Sequence, residues 1–282
     1  MVGSGMRSSV EVLALKSPTL PPATTTNCYF LGDKDFAIVD PASPWEEQQQ
    51  CLLDALEERA RLGRTAASIL LTHHHNDHVG GVNALRAETG LPVFAHPRTA
   101  ELLAGQIAID GVLNEGDSVQ TGSARWECYH TPGHASGHLC FFNRETGELI
   151  IGDMMAGEGT IVLDPPEGDL LAYLESLARL RDLGSRICYP AHGPALTSPT
   201  RDFQQYIDHR EMRTRQVREL VAQKSPVKPE DLVEVIYAEL PRLFWPIAAR
   251  QMLCHLQYLV SIGEIKTSDA GFESCVGDGN VE

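Results

Sequence analysis

The chain has no C-x-x-C pair, although it carries seven cysteines, at positions 28, 51, 128, 140, 188, 254 and 275. Their odd number and scattered spacing give neither a thiolate metal knuckle nor a disulfide framework. Reduced thiols in a cytoplasmic protein are the expectation. No uninterrupted apolar run reaches the ~18 residues that a membrane-spanning helix needs, so no membrane partner is expected. The opening MVGSGMRSSV lacks the apolar core of a secretory signal. Met1–Gly5 read as appended residues, with Met6 as a natural start. Internal repeats and low-complexity blocks are absent. Basic charge is scarce: 23 Lys and Arg stand against 38 Asp and Glu, a formal net charge of −15. That balance disfavours a nucleic-acid backbone as the main partner, because phosphate binding wants a basic surface.

What is present suffices for a large core. The 282 residues, 43% of them hydrophobic, suit a domain of about 200 residues plus an appendage. Residues 26–42 predict two strands around a turn at Gly32–Asp35, the second ending at Asp40. Pro44–Leu62 has helical period, Ser68–Thr72 is a short buried strand, and Gly81–Thr89 is a helix closed by Gly90. Strand 91–95, helix 98–104, several short strands over 110–163, helix 168–183 and strand 185–189 follow. Beyond Ser198 the pattern is helical, over 202–223, 230–239 and 246–262, with a small hairpin beginning near Gly263. This tail predicts a winged-helix-like appendage. The expected division is 1–200, 201–270 and a frayed tail over 271–282. Leu243, Phe244 and Trp245 are expected in the core of the appendage, and Tyr206, His209 and Arg210 begin its first helix.

The chemistry concentrates in LLTHHHNDHVGG, residues 70–81. Residues two apart on an extended segment point the same way, so His73 and His75 reach one point together while His74 turns aside. The bend into the next helix lets Asp77 and His78 aim at a second point, with Gly80 and Gly81 removing side chains where backbone passes close. Three further residues sit at strand ends: His134 in HTPGHASGHLC, Asp153 in LIIGDMMAG and His192 in YPAHGP. His73, His75 and His134 supply three imidazoles for one metal; Asp77, His78 and His192 supply a second set; Asp153 bridges. Imidazole and carboxylate without thiolate suit zinc first, with iron or manganese as alternatives. Three protein ligands per ion leave an open position, the mark of a catalytic site.

These motifs, THHHNDH, the block around His134, Gly152-Asp153, PAHG and the early Asp40, resemble the metallo-β-lactamase superfamily over roughly residues 10–197. The resemblance implies an α+β fold, an αββα sandwich of two face-to-face sheets with helices outside, and Asp40 as a structural aspartate. GDMMAGEGTIVLDPPEGDLLAYLESLARL, CYPAHGP and YIDHREMRTRQV, with the helical tail, resemble more narrowly the β-lactamase-like protein 2 subfamily, whose members include a mitochondrial endoribonuclease acting on single-stranded RNA.

The resulting expectation is a zinc-dependent hydrolase with two ions per chain and a metal-bridging hydroxide, acting on a small ester, thioester or lactone. The alternative is an endoribonuclease cleaving single-stranded RNA. Antibiotic β-lactam hydrolysis is disfavoured by the helical tail and by Asp153, where some such enzymes place cysteine. Asp77 is expected to hold the second metal and orient the nucleophile, and His138 to act as a neighbouring or substrate-contacting imidazole. Met154 and Met155, with the AGEGT segment after them, are expected to line the cleft. Ser136 is expected to meet substrate or support the same turn, and His130 to be structural. Expected partners are a small-molecule substrate, RNA in the alternative reading, and a second copy of the chain.

Overall fold

The computed structural model describes residues 9–275. The residues read as appended at the amino terminus, and the end of the expected tail from 276 on, lie outside the described residues. Strands β1 (Val10–Lys16), β2 (Thr25–Leu31) and β3 (Asp35–Val39) form an antiparallel meander. Helix α1 (Glu46–Arg61) then crosses to β4 (Thr65–Leu70), which runs parallel to β3. A single turn α2 (Asn76–Val79), helix α3 (Val82–Thr89), β5 (Val93–Ala95), α4 (Pro97–Leu102) and β6 (Gly111–Val112) complete a six-stranded sheet in the order β1-β2-β3-β4-β5-β6. The second sheet is β7 (Ser118–Thr121), β8 (Ala124–His130), β9 (Leu139–Asn143) and β10 (Glu148–Gly152), then helix α5 (Leu170–Asp182) and β11 (Ile187–Pro190), in the order β11-β10-β9-β8-β7.

Strand residues alternate between two buried faces, which is why these strands read as continuous apolar runs rather than apolar/polar alternation. In β2, Tyr29 and Leu31 face the second sheet, where Trp126, Phe141 and Ile150 meet them. Phe30 faces outward, into a layer with Phe36, Ile38, Leu52 and Leu85 under α1 and α3. In β10, Ile150 faces inward while Leu149 and Ile151 meet Tyr173 and Leu177 of α5. The result is the expected four-layer sandwich, α1/α3, sheet, sheet, α5.

Helix α6 (Pro199–Lys224) joins the two parts of the chain. Its first half puts Phe203 and Ile207 into the core beneath the second sheet. Its second half puts Val217 and Val221 into a separate core with Leu232 and Val233 of α7 (Pro229–Ile236) and Met252, Leu256 and Leu259 of α8 (Trp245–Ser261). The hairpin β12 (Ile265–Ser268) and β13 (Gly271–Ser274) follows.

Two expectations change here. The segment from 271 does not begin a frayed tail: Gly271–Ser274 is a paired strand, and Phe272 also exchanges backbone hydrogen bonds with Val227. The helical turn after the histidine run begins at Asn76 rather than Gly81, so Asp77 and His78 stand on a helix. Gly80 and Gly81 serve that geometry. A Cβ on Gly81 would meet the Pro41 carbonyl oxygen at 2.5 Å, so the close approach is to the loop after Asp40 and not to the site itself.

Candidate metal centre

His73, His75, Asp77, His78, His134, Asp153 and His192 arrive from four strand ends at one edge of the sandwich. Three overlapping groups form, each with its ligand atoms within 4.8 Å of one another: His73–His75–His134, His73–His78–Asp153 and Asp77–His78–His192. In the first group, His75 Nδ1 lies 2.9 Å from His73 Nε2 and 2.9 Å from His134 Nε2, and those two are 3.3 Å apart. Donor atoms about 2.0–2.1 Å from one tetrahedral ion stand about 3.3 Å apart, so the triangle is the size of a face of such a site. Across the other two groups, His192 Nε2 lies 3.6 Å from Asp77 Oδ2 and 3.3 Å from Asp153 Oδ1, and His78 Nε2 lies 3.6 Å from Asp153 Oδ2. Asp153 Oδ2 also approaches His134 Nε2 at 3.4 Å, so this carboxylate touches both groups.

Neighbouring acceptors set which ring nitrogen carries the proton. Asp40 Oδ2 accepts from the Thr72 hydroxyl at 2.6 Å and from His78 Nδ1 at 2.9 Å. With its proton committed to Asp40, the Thr72 oxygen accepts from His73 Nδ1 at 3.0 Å. His134 Nδ1 donates to the Val162 carbonyl at 2.8 Å, and His192 Nδ1 to the Thr25 carbonyl at 3.0 Å. Each bond leaves the opposite Nε2 with a lone pair aimed at the centre, the arrangement that prepares imidazole for a metal. Asp40 alone orients one ring from each group. It is the one non-glycine residue of positive φ, 52°, among the described residues, and aspartate tolerates that conformation better than most side chains.

Lone pairs and carboxylate oxygens that face each other at these distances need a cation. His78 Nε2 and Asp153 Oδ1 are buried with no hydrogen-bond partner, and a buried polar atom left so costs about 1–3 kcal/mol. Burial depresses the basicity of His73, His75 and His134, with His75 pushed down to about 2. Burial thus favours the neutral form of all three rings, the form in which imidazole can bind a metal. Burial also opposes charge on His78 and His192, but the Asp153 carboxylate overrides it and holds both above the ordinary imidazole range. The acids therefore draw positive charge, from a proton or a metal, to those two nitrogens. The donor set fits divalent metal.

The centre opens to a cleft of about 370 Å³. His75, Asp77, His134, Asp153 and His192 form its floor; Pro18–Ala23 form one wall, and residues 156–167 much of the other.

The remaining site expectations fare differently. His138 does not reach the cleft. It is fully buried, its Nδ1 bonds the Thr131 hydroxyl at 2.8 Å, and its Nε2 accepts from the Asp153 backbone N–H at 3.1 Å. It is a positioning residue that fixes the turn bearing Asp153. Met154 and Met155 do not line the cleft either. Gly152 adopts φ 46°, which turns the chain so that both side chains bury beneath α5, while Ala156, Glu158, Gly159 and Thr160 reach the cleft as expected. Ser136 lies off the cleft wall: its hydroxyl and backbone N–H both donate to Glu167, and it accepts from Arg98 Nε at 3.2 Å. His74 belongs to none of the three ligand groups. His130 stacks on His96 at 4.0 Å and bonds the Ser136 carbonyl at 2.9 Å, a structural role as expected. Thr72 was missed by residue-type reasoning; its signal is a hydroxyl directly before the first ligand.

Gly152 offers a stability test. A Cβ there would meet His138 Nε2 at 2.6 Å and Thr72 Cβ at 3.0 Å, on a backbone that L-residues avoid. Gly152→Ala should cost about 2 kcal/mol or more in urea unfolding. An unchanged midpoint would contradict the close contact.

Tail residues hold the 156–167 wall in place. The Tyr206 hydroxyl accepts from Ala156 N–H at 3.0 Å, Arg210 donates to the Ile161 carbonyl, Gln251 Oε1 accepts from Leu163 N–H at 2.9 Å, and Arg250 donates to Asp164 and the Pro165 carbonyl.

A two-sheet sandwich with this His/Asp constellation at one edge defines a metallo-β-lactamase fold. The family model described as the metallo-beta-lactamase superfamily matches residues 21–192, and the chain belongs to that superfamily. The model of the beta-lactamase associated winged helix domain matches residues 229–271. Within the superfamily, the chain is 32% identical over 281 residues to the Beta-lactamase-like protein 2 homolog of Drosophila melanogaster, covering 95% of this chain and 93% of the relative. It is 31% identical over 238 residues to an atrochrysone carboxyl ACP thioesterase of Aspergillus fumigatus, covering 77% and 69%. A metallo-beta-lactamase family protein of Thermus thermophilus shares the fold with a TM-score of 0.77 at 24% identity, covering 94% of this chain and 98% of that one. No helix among the described residues is long and apolar enough to cross a membrane.

Proposed function

We propose that this protein is a dinuclear metal hydrolase, with zinc as the first-choice ion, acting on a small ester, thioester or lactone in a reducing, cytoplasmic setting. The charge of the cleft carries this reading. Its lining includes Asp77, Asp153, Glu158, Asp164 and Glu167, against a single arginine, Arg250, which is engaged by Asp164. Two divalent ions would bring four positive charges, two of them offset by Asp77 and Asp153, while the cleft walls beyond the ions carry Glu158, Asp164 and Glu167 and no free Lys or Arg, whereas an RNA backbone wants Lys and Arg along its path. The likeness to an acyl-carrier thioesterase supports the same choice.

When bound, the ions would supply Lewis acidity and a water acidic enough to ionise near neutral pH. The chain's own residues do the rest. His73, His75 and His134 would hold one ion, and Asp77, His78 and His192 the other, with Asp153 between them. Asp77 borders both the cleft and the His78–His192 pair, where it would orient the attacking water. His138 keeps Asp153 in register through its backbone N–H. The Pro18–Ala23 strap and the 156–167 wall would flank the reacting carbonyl.

The test is direct. Zinc-loaded protein is given butyryl-N-acetylcysteamine in one assay and a labelled single-stranded RNA in another. Thioester turnover that an Asp77→Ala variant loses, with the RNA intact, is the expected result. RNA cleavage without thioester turnover would make the protein a nuclease instead.

A further inference from the structure

A second cavity, of about 610 Å³, lies between the catalytic sandwich and the tail helices. It is not a separate pocket in any chemical sense. Leu20, Pro21, Pro22, Thr160, Val162 and Ile247 line both it and the metal cleft. The carbonyl of Val162 also holds His134 in its ligand tautomer. Away from the metal the walls turn apolar, with Tyr237, Leu240 and Phe244. His209, Arg210, Arg213 and Gln251 interrupt them. Gln251 is 6% exposed and its Oε1 is taken by Leu163, but its Nε2 is buried without any hydrogen-bond partner. Arg210, 4% exposed, spends one nitrogen on the Ile161 carbonyl, and its Nε is likewise unpartnered. Unsatisfied buried donors in a native structure need an acceptor, and an apolar groove with a few convergent polar groups is what a small-molecule site presents.

We propose that this groove seats the apolar body of the substrate: an elongated acyl chain bearing a carbonyl or hydroxyl oxygen that accepts from Gln251 and Arg210, with its scissile carbonyl over the metal cleft. The inference rests on the acyl-hydrolase reading and names its substrate class. Hydrolysis breaks the acyl C–S or C–O bond and forms a C–O bond to water. The water's proton ends on the leaving thiol or alcohol, and a long-chain carboxylic acid remains. A nucleic-acid strand fits the groove less well. Arg210 is buried, with one nitrogen on the Ile161 carbonyl, and Arg213 lies over the Tyr237 ring at 4.6 Å, so neither stands out along a path for a phosphate backbone.

The experiment separates the groove from the chemistry. Binding of butyrate, dodecanoate and a panel of monohydroxylated dodecanoates to the zinc-loaded full chain is measured by calorimetry. Turnover of butyryl- and dodecanoyl-N-acetylcysteamine is measured alongside. Dodecanoate should bind at least tenfold tighter than butyrate, and kcat/KM should rise by a similar factor. At least one hydroxylated isomer should bind about tenfold tighter again. Gln251→Glu keeps the acceptor for Leu163 and removes one of the two donors, so it should cut the hydroxyl preference at least threefold while dodecanoate still binds tighter than butyrate. Leu240→Trp, which fills the groove, and Phe244→Ala, which strips its wall, should each weaken dodecanoate at least fivefold and leave butyryl turnover intact. Dodecanoate and butyrate affinities within twofold, or both wall variants without effect, would overturn the groove assignment even if thioesters are hydrolysed. Chain-length-dependent binding with no thioester turned over would uphold the groove and overturn the acyl-hydrolase reading. A labelled single-stranded RNA that displaces dodecanoate from the wild type would overturn the substrate class.

Discussion

The His73→Ala, His75→Ala double variant is expected to lose one of two bound ions and to lower kcat/KM roughly 10³-fold or more. The two rings supply two of three corners of a triangle with 2.9, 2.9 and 3.3 Å edges. His134 alone cannot replace the missing lone pairs. Removing even one preorganised group that stabilises transition-state charge costs ~10²–10³ in rate. Elemental analysis should fall from near two metals per chain to near one. A thermal reading gives an independent check. Ligands that bind only the native state raise Tm, so chelator should lower the wild-type Tm by several degrees and that of the variant by less. Unchanged metal content together with unchanged turnover would refute the ligand assignment outright.

Asp40→Asn is expected to be nearly as damaging, although Asp40 touches no metal position. Its carboxylate accepts from Thr72 N–H, the Thr72 hydroxyl and His78 Nδ1. An amide presents a donor in place of one acceptor. Where Oδ2 now stands, that donor would meet both His78 Nδ1 and the Thr72 hydroxyl, shifting the His78 ring proton to Nε2, the atom that should bind metal, and freeing the hydroxyl that orients His73; where Oδ1 stands, it would oppose the Thr72 N–H. Loss of one orienting partner typically costs 10–100-fold in metal affinity, and two rings depend on this one, so a fall of ~10²–10⁴ is expected. Asparagine tolerates the left-handed backbone at φ 52° as aspartate does, so the fold should survive, as a retained cooperative unfolding transition would show. The measurement is competition for zinc against a chromophoric chelator. Wild-type affinity in this variant would show that the tautomers are set some other way.

The metal centre was legible in the chain because its information is local. The seven residues stand on the segments that follow four strands, β4, β8, β10 and β11, and such ends in a two-sheet sandwich converge on one edge. The four layers were legible from continuous apolar runs and helical periods for the same reason. What escaped depended on partners far along the chain. His138 resembles a site histidine by spacing, but its role is set by a backbone N–H fifteen residues away, at Asp153. Met154 follows a ligand directly, yet the φ of Gly152 turns it inward. Arg210 was marked only as a residue at the start of the tail helix, and Gln251 has nothing in its own segment to mark it, since the significance of both is the 156–167 wall they hold. The strand at 271–274 was hidden by polar and glycine composition, and it pairs across a short hairpin that few side chains specify.

If the proposed function holds, the wall tied down by Tyr206, Arg210, Gln251 and Arg250 means that ion binding and substrate choice are written in different stretches of the chain. Reactivity belongs to the strand ends; the shape of the cleft belongs in part to helices that contribute no ligand. Divergence within the last third of the sequence can then exchange one substrate for another while every histidine and aspartate of the centre stays fixed. A family sharing one chemistry could in this way acquire many selectivities by drift in its winged-helix partner, and grafting that partner between relatives would carry the selectivity with it.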